Sequence, residues 1–296
     1  MKPQSAVDTR VRQPSLDASG GRRQGETAAR PPQAIYGIWR VGKPLAGGSD
    51  GGVIAAAQPA DAAGSGRWDY AIRLAGNSAA GRGTIRSFVA SAAAANHPNL
   101  IAVLDASPEA SQPYLVMPRL VGRTLADTLR RRKDMRLPVV LWIIRQVSQA
   151  LESLHAAGWV HGDVKPANVF IDRGGHTTLM DLGFANRVHT VRRGVFAGTP
   201  DYAAPEATSG EHAAIPAMDV FSLGRTLWRS LLHGDASESP RVGPVADLIA
   251  SMVHPQPAQR PTIGEVTAEL LRLELATLGE HIRIGQPGDP ADRQAA

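Results

Sequence analysis

Between Leu137 and Gly158 the chain reads LPVVLWIIRQVSQALESLHAAG, with Ile144, Val147, Leu151 and Leu154 at steps of three and four. Such spacing puts the apolar side chains on one stripe, so the segment is expected to be a buried amphipathic helix closed by Gly158. Upstream the period is different. From Ile35 to about Leu120, short apolar runs are divided by glycines, in YGIWRVGKPLAGG, GGVIAAAQ, RWDYAIRLAG, LIAVLDAS and QPYLVMPRL, and these read as strands. The Ala-rich GTIRSFVASAAAANHP adds one helix, ending at Pro98. Downstream, helices are expected in MDVFSLGRTLWRSLLHG, VADLIASMV and TIGEVTAELLRLELATLGE, and no internal repeat is found. A small sheet with one helix, followed by a mainly helical half, makes an α+β chain.

At 296 residues and 43% apolar content, the chain can bury one large core or two modest ones. Arg145 interrupts LPVVLWIIRQV, so no run approaches the roughly 18–20 apolar residues of a bilayer span. The N-terminus has no apolar run after its charges, which argues against a secretory signal, and the chain reads as soluble and cytoplasmic. With no cysteine, disulfides, thiolate catalysis and zinc-thiolate sites are excluded. The net charge is +5, but residues 1–34 hold six Lys/Arg and three Asp/Glu, leaving only +2 for the remainder. Rich in Pro, Gly, Ser and Arg without apolar periodicity, this segment is expected to be a solvated disordered leader rather than a nucleic-acid-binding arm. The C-terminal GQPGDPADRQAA reads the same way.

The chemistry concentrates in HGDVKPANVFI, residues 161–171. Phosphoryl transfer needs an acceptor hydroxyl aimed in line, divalent cations on the phosphates and positive charge near the migrating group. Asp163 can orient the hydroxyl and accept its proton, Lys165 can sit beside the phosphate, and Asn168 can offer a carbonyl oxygen to Mg²⁺. In MDLGFAN, Asp181 supplies a full carboxylate for the same metal, and Gly183 lets the backbone turn.

These segments resemble a bacterial-type Ser/Thr protein kinase domain, from about Tyr36 to Leu278. HGDVKPANV is similar to the catalytic loop, DLG to the metal-binding triplet, GTPDYAAPE to the end of the activation segment, DVFSLG to the start of the central helix, and QRPT to the late buried arginine. The order is the family's own. The resemblance implies a bilobal fold, with residues 1–34 outside it, an N-lobe at about 35–117, a hinge at about 118–121, a C-lobe at about 122–278 and a tail at 279–296. It implies ATP and Mg²⁺ as cofactors, a protein substrate, and neither nucleic acid nor a membrane span among the partners. Catalysis would fall to Asp163, Lys165 and Asn168, with Asn168 and Asp181 on the metal. LAGGSDGGV resembles the glycine-rich loop, with Ala46, Gly48 and Gly51 in its glycine positions. Val53 and Ala71 would close over the adenine, Met117 would be the gatekeeper, and the Leu120 N–H would read the ring's edge. Glu206 would pair with Arg260, Asp219 would hold the backbone around His161, and Thr199 would bond to Asp163 and Lys165. His161 would be a buried structural histidine, and His97 a turn and packing residue.

The chain also departs from the pattern. Arg73 stands in YAIRL where the family's phosphate-gripping lysine belongs, and no acidic residue lies between Asp69 and Asp105, so Phe88 or Ser91 occupies the place of the helix glutamate. The expected ion pair is therefore missing. A rebuilt active site and a pseudokinase that binds nucleotide or a partner without turnover both answer to that change, because arginine does not reproduce a point ammonium. A small-molecule phosphotransferase is the third reading, opposed by Lys165 and GTPDYAAPE. Gly162 replaces the arginine that receives a phosphorylated activation loop, which implies activity not gated that way. Thr190, beside Arg192 and Arg193, reads most simply as part of a solvated basic loop. The short GDASESPRVGPVAD implies that the family's substrate-docking helix is deleted or reduced.

Overall fold

The computed structural model describes residues 34–47, 51–62, 64–131, 135–193, 198–208, 211–232, 239 and 241–281. The expected leader (but for Ala34), Gly48 and residues 282–296 of the tail lie outside them, as do residues 234–238 and 240 of the fourteen-residue segment expected to lack a docking helix. The first half is a six-stranded sheet with strand order β1-β2-β3-β4-β6-β5. Its strands are β1 (Ile35–Tyr36), β2 (Trp39–Gly47), β3 (Val53–Pro59), β4 (Tyr70–Leu74), β5 (Asp105–Ser107) and β6 (Tyr114–Pro118). Helix α1 (Ala79–Ala94) begins four residues before the expected GTIRSF segment. The Ser78 hydroxyl caps it by accepting from the Gly81 N–H at 3.1 Å, a local signal stronger than the loss of helix propensity at Gly81 and Gly83. The helix stops at Ala94, short of Pro98.

Of LIAVLDAS only Asp105–Ser107 pairs as a strand, because the Ile101 N–H donates instead to Leu179 O, at 3.0 Å, in the second half. That half contains α2 (Leu125–Arg131), α3 (Leu137–Ala156), α4 (Pro216–Leu231), α5 (Val242–Met252) and α6 (Ile263–His281). Helix α3 follows its predicted stripe, with Ile144, Val147, Leu151 and Leu154 fully buried. Arg145, which broke the apolar run, pairs with Glu274 of α6 at 2.6 Å. Helix α6 continues to His281, three residues past the expected boundary.

Small ladders carry the loops between these helices. They are β7 (Gly122–Thr124), β8 (Trp159–Val160), β9 (Val169–Asp172), β10 (Thr177–Leu179), β11 (Asn186–Arg187), β12 (Val191–Arg193) and β13 (Glu211–Ala213). The stretch after Thr190 is thus no free loop, since β12 pairs antiparallel with β13 and Thr190 O accepts from the Ala214 N–H.

One buried core runs from Ile85, Phe88 and Leu115 through α3 into α4, α5 and α6. A second, smaller one, with Trp39, Ala55, Ala57, Ile72 and Val116, covers the opposite face of the sheet. The sheet is therefore buried on both sides, and one of its faces is available to build a site against the helical half.

Candidate active site

The β9–β10 hairpin sets the site. Its register pairs Val169 with Leu179, and just beyond that rung the Met180 N–H donates to Asn168 O at 2.8 Å. Asn168 and Asp181 are thereby carried on adjacent ends of one hairpin. Asp163 is buried, and its carboxylate is held from three directions. Thr199 donates to Oδ1 at 2.9 Å, Asn168 Nδ2 donates to Oδ2 at 3.0 Å, and Lys165 Nζ lies 2.6 Å from Oδ2. Lys165 Nζ also donates to Thr199 Oγ1 at 2.6 Å, so the threonine hydroxyl joins both charged groups. Because Asn168 Nδ2 also donates to Asp163 O, its carbonyl Oδ1 is left as the acceptor end of the amide.

Beneath this loop, Asp219 on α4 accepts from the His161 and Gly162 N–H groups at 2.7 and 2.9 Å and from His155 Nε2 at 2.8 Å. Burial raises the Asp219 pKa. The hydrogen bond from His155, the charges of His155 and His161 and the Gly162 N–H outweigh it and hold the carboxyl below the usual range. His161 is buried with both ring nitrogens used: Nδ1 accepts from the Asp163 N–H and Nε2 donates to Met180 O at 2.9 Å. That bonding fixes the ring in place and suits a structural role. His97 makes a turn, its Nδ1 accepting from the Asn99 N–H at 3.1 Å. Gly162 has φ +77°, and a Cβ there would lie 2.9 Å from Phe184 O, so the missing arginine corresponds to a backbone that disfavours any side chain.

Arg73 is not left without a counter-charge. Its guanidinium is buried, Nη1 is 2.5 Å from Asp181 Oδ1, and Cζ is 6.0 Å from the centroid of Phe88. The sequence shows no acid on α1 but gives no sign of this pair, which joins residues 108 apart. Asp181 adopts a left-handed backbone, φ 60° and ψ 72°, and its Oδ1 also accepts from the Gly183 N–H at 3.3 Å. Left-handed strain at an aspartate costs of order 1–3 kcal/mol and clusters at functional positions. Helix α1 rests on this turn, with the Ser87 hydroxyl donating to Ala185 O.

Strand register corrects one expected residue. Directly opposed residues in antiparallel strands share a face. Ala46, Ile54, Arg73 and Leu115 form one row, and Ala56, Ala71 and Met117 the next. Val53 pairs with Leu74 on the other face and is 40% exposed, so Ile54 takes the place expected for Val53 beside Ala71. Counting by twos back from Arg73 across the hairpin would have found it. Gly51 lies in the turn with φ +76°, and Leu120 follows two residues after β6, half-buried. Among the described residues, no three His, Cys, Asp or Glu side chains cluster as metal ligands. A single carboxylate with a neutral oxygen fits Mg²⁺, which keeps waters and takes further oxygens from phosphates.

A β-sheet half and a helical half, with buried Asp163 and Asn168 and half-buried Lys165 and Asp181 at their junction, define a phosphotransferase domain. The protein kinase domain family matches residues 72–242. The chain is 34% identical over 212 residues to the serine/threonine-protein kinase PknA of Mycobacterium tuberculosis, covering 68% of this chain and 48% of that protein. It is also 36% identical over 129 residues to the serine/threonine-protein kinase AfsK of Streptomyces griseus, covering 43% of this chain and 16% of that protein. The serine/threonine-protein kinase PknK of Mycobacterium bovis is 35% identical over 150 residues, 50% of this chain and 13% of PknK. The matches span about half the length of PknA and less of the other two. This chain belongs to the protein kinase domain family, which generally uses ATP and Mg²⁺. No helix among the described residues is long and apolar enough to cross a membrane.

Proposed function

We propose that this chain is a Ser/Thr protein kinase, transferring the terminal phosphoryl group of ATP to hydroxyls of protein substrates. The observation that carries the reading is the closed set around Asp163, in which Thr199 of the activation segment bonds to both Asp163 and Lys165. Asp163, fixed by Thr199 and Asn168, orients the acceptor hydroxyl and receives its proton. Lys165 neutralises charge beside the transferring group, and Asn168 Oδ1 with Asp181 would hold Mg²⁺, which would supply further positive charge for the phosphates. Arg73 faces the phosphates from the sheet. Ala71 and Ile54 cover the adenine, the half-buried Met117 and the Leu120 N–H border it, and Ala46 at the end of β2 with Gly51 ahead of β3 lies over the phosphates. Next to Lys165, an open groove of about 330 Å³ lined by Pro166, Ala167, Asp127, Arg130 and Tyr202 offers room for the acceptor segment. A domain that draws on ATP would work in the cytoplasm, and that is the location this reading assigns.

The test is incorporation of labelled phosphate from Mg-ATP into a generic protein acceptor, comparing wild type with Asp163→Asn. Loss of an essential base is expected to lower incorporation about 100-fold or more. Equal label in both proteins would refute the assigned base. No label in either, with Mg-ATP still raising the melting temperature, would favour the pseudokinase reading that the Arg73 change also suits. Transfer to a small-molecule acceptor alone would favour the third reading.

A further inference from the structure

Three observations converge on Arg73. Its side chain is buried beneath the sheet, 3% exposed, in the row shared by Ala46, Ile54 and Leu115. The surface that α1 buries beside it, Ile85, Phe88 and Ser91, contains no carboxylate, and Phe88 lies with its ring 6.0 Å from the guanidinium carbon. Among the described residues, a carboxylate that Arg73 meets is that of Asp181, whose Oδ1 is held from two sides, by Arg73 Nη1 and by the Gly183 N–H. Among the described residues, Oδ2 of Asp181 accepts no hydrogen bond. The opposite face of the turn is equally confined, since a Cβ on Gly183 would lie 2.4 Å from Thr84 Cγ2 and 3.6 Å from Arg73 Nη2.

We propose that Arg73 is a positioning residue for Asp181: it fixes Oδ1 of a carboxylate on a left-handed backbone, so that Oδ2 is presented to the divalent cation. A planar guanidinium suits this task better than an ammonium, because it can bond in its plane to Asp181 while stacking its face toward Phe88. The missing helix acid is then a consequence of the arrangement. A glutamate at position 88 would draw the cation toward α1 and away from Asp181. The proposal rests on the reading of Asp181 as a metal ligand, but the contact itself exists without nucleotide, and the two parts can be tested apart.

The first measurement is a double-mutant cycle on the nucleotide-free chain, with Arg73→Gln, Asp181→Asn and the double variant unfolded in urea. Coupling of about fivefold or more in the unfolding equilibrium is expected. Additive effects would overturn the pairing whether or not the chain binds nucleotide. The second is the Mg²⁺ concentration giving half of the ADP-dependent thermal shift. Arg73→Lys keeps the charge but shortens the reach, and is expected to raise that concentration about tenfold or more, as loss of groups supporting a metal ligand commonly does. Adding Phe88→Glu to Arg73→Lys should not lower that concentration again, since it draws the lysine toward α1 and away from Asp181, and full recovery of the wild-type Mg²⁺ dependence would overturn the proposal. An Arg73→Lys variant with unchanged Mg²⁺ dependence that loses only its metal-free ADP shift would overturn the proposal, since Arg73 would then act on phosphate alone. A wild-type chain with no ADP shift in either condition would refute the nucleotide-site reading, and the metal half of this proposal with it, while the urea cycle would still decide the pairing.

Discussion

Asp219 has no exposed surface, and its two oxygens take up three donors beneath the catalytic loop. Its folded pKa lies below the unfolded value of about 3.9 despite burial, so it contributes stability above that pH. The contribution is lost as pH falls below about 3.9 and through the depressed folded value. Asp219→Asn is therefore expected to be less stable by about 1–3 kcal/mol at pH 7, because an amide presents an NH₂ to groups that are themselves donors. Its stability should also change less than the wild type's as pH is lowered through 4. Urea midpoints at pH 7 and across pH 5–3 check both parts, and parallel acid profiles would show that Asp219 is not depressed. Contacts of this kind were legible where a short motif carries them, as with the bonds of Thr199 to Asp163 and Lys165. The Arg73 partner was not legible: a buried cation demands a counter-charge, but sequence spacing does not say which of several distant carboxylates supplies it.

Elements were legible where the hydrophobic period is long. Helices α3 and α4 follow their stripes because α3 buries one side against α4 and α6, and α4 against α3 and α5. Shorter pieces depend on tertiary partners. The run LIAVLDAS has strand-like composition, yet its Ile101 N–H is used by Leu179 O of β10, which no local preference encodes. The α4–α5 contact makes a sharper test of packing against propensity. At Gly224 of α4 an added Cβ would lie 2.8 Å from Met252 Cβ and 2.9 Å from Val253 Cγ1. Alanine would gain about 1 kcal/mol of helix propensity, but Met252 Cβ is rooted in its backbone, so α5 must shift at an overpacking cost of about 1–3 kcal/mol. Gly224→Ala is expected to lower the urea midpoint. Gly243→Ala, in the first turn of α5 with nothing within 4 Å of its added Cβ, should raise it. If both variants gain stability, propensity outweighs the α4–α5 fit.

Across the whole molecule, the activation segment stays in place because Arg260 ties it to regions far apart in sequence. Nη1 and Nη2 of Arg260 are 2.6 and 2.9 Å from the two Glu206 oxygens, and the same guanidinium donates to the carbonyl oxygens of Ala217, His254 and Pro255. The face of Phe221 lies 4.9 Å from its carbon, and the Arg260 side chain is fully enclosed. QRPT and APE suggested the pair, but the carbonyl shell depends on where α4 begins and how the chain turns before α6, which only the folded helical half defines. Removing the cation takes its bonds from Glu206 and from three carbonyl groups, so Arg260→Ala is expected to cost about 3–5 kcal/mol. Glu206→Ala leaves an enclosed cation that still has carbonyl partners, and should cost less. The double variant should fall well short of the sum, because the two residues share one set of bonds. The same loss should reach the catalytic loop, since Thr199 belongs to the segment that Glu206 anchors. In Glu206→Ala, labelled phosphate transfer should fall even at temperatures where the protein remains folded. A variant that unfolds more easily but transfers phosphate at the wild-type rate while folded would show that Thr199 keeps its bonds to Asp163 and Lys165 without the anchor.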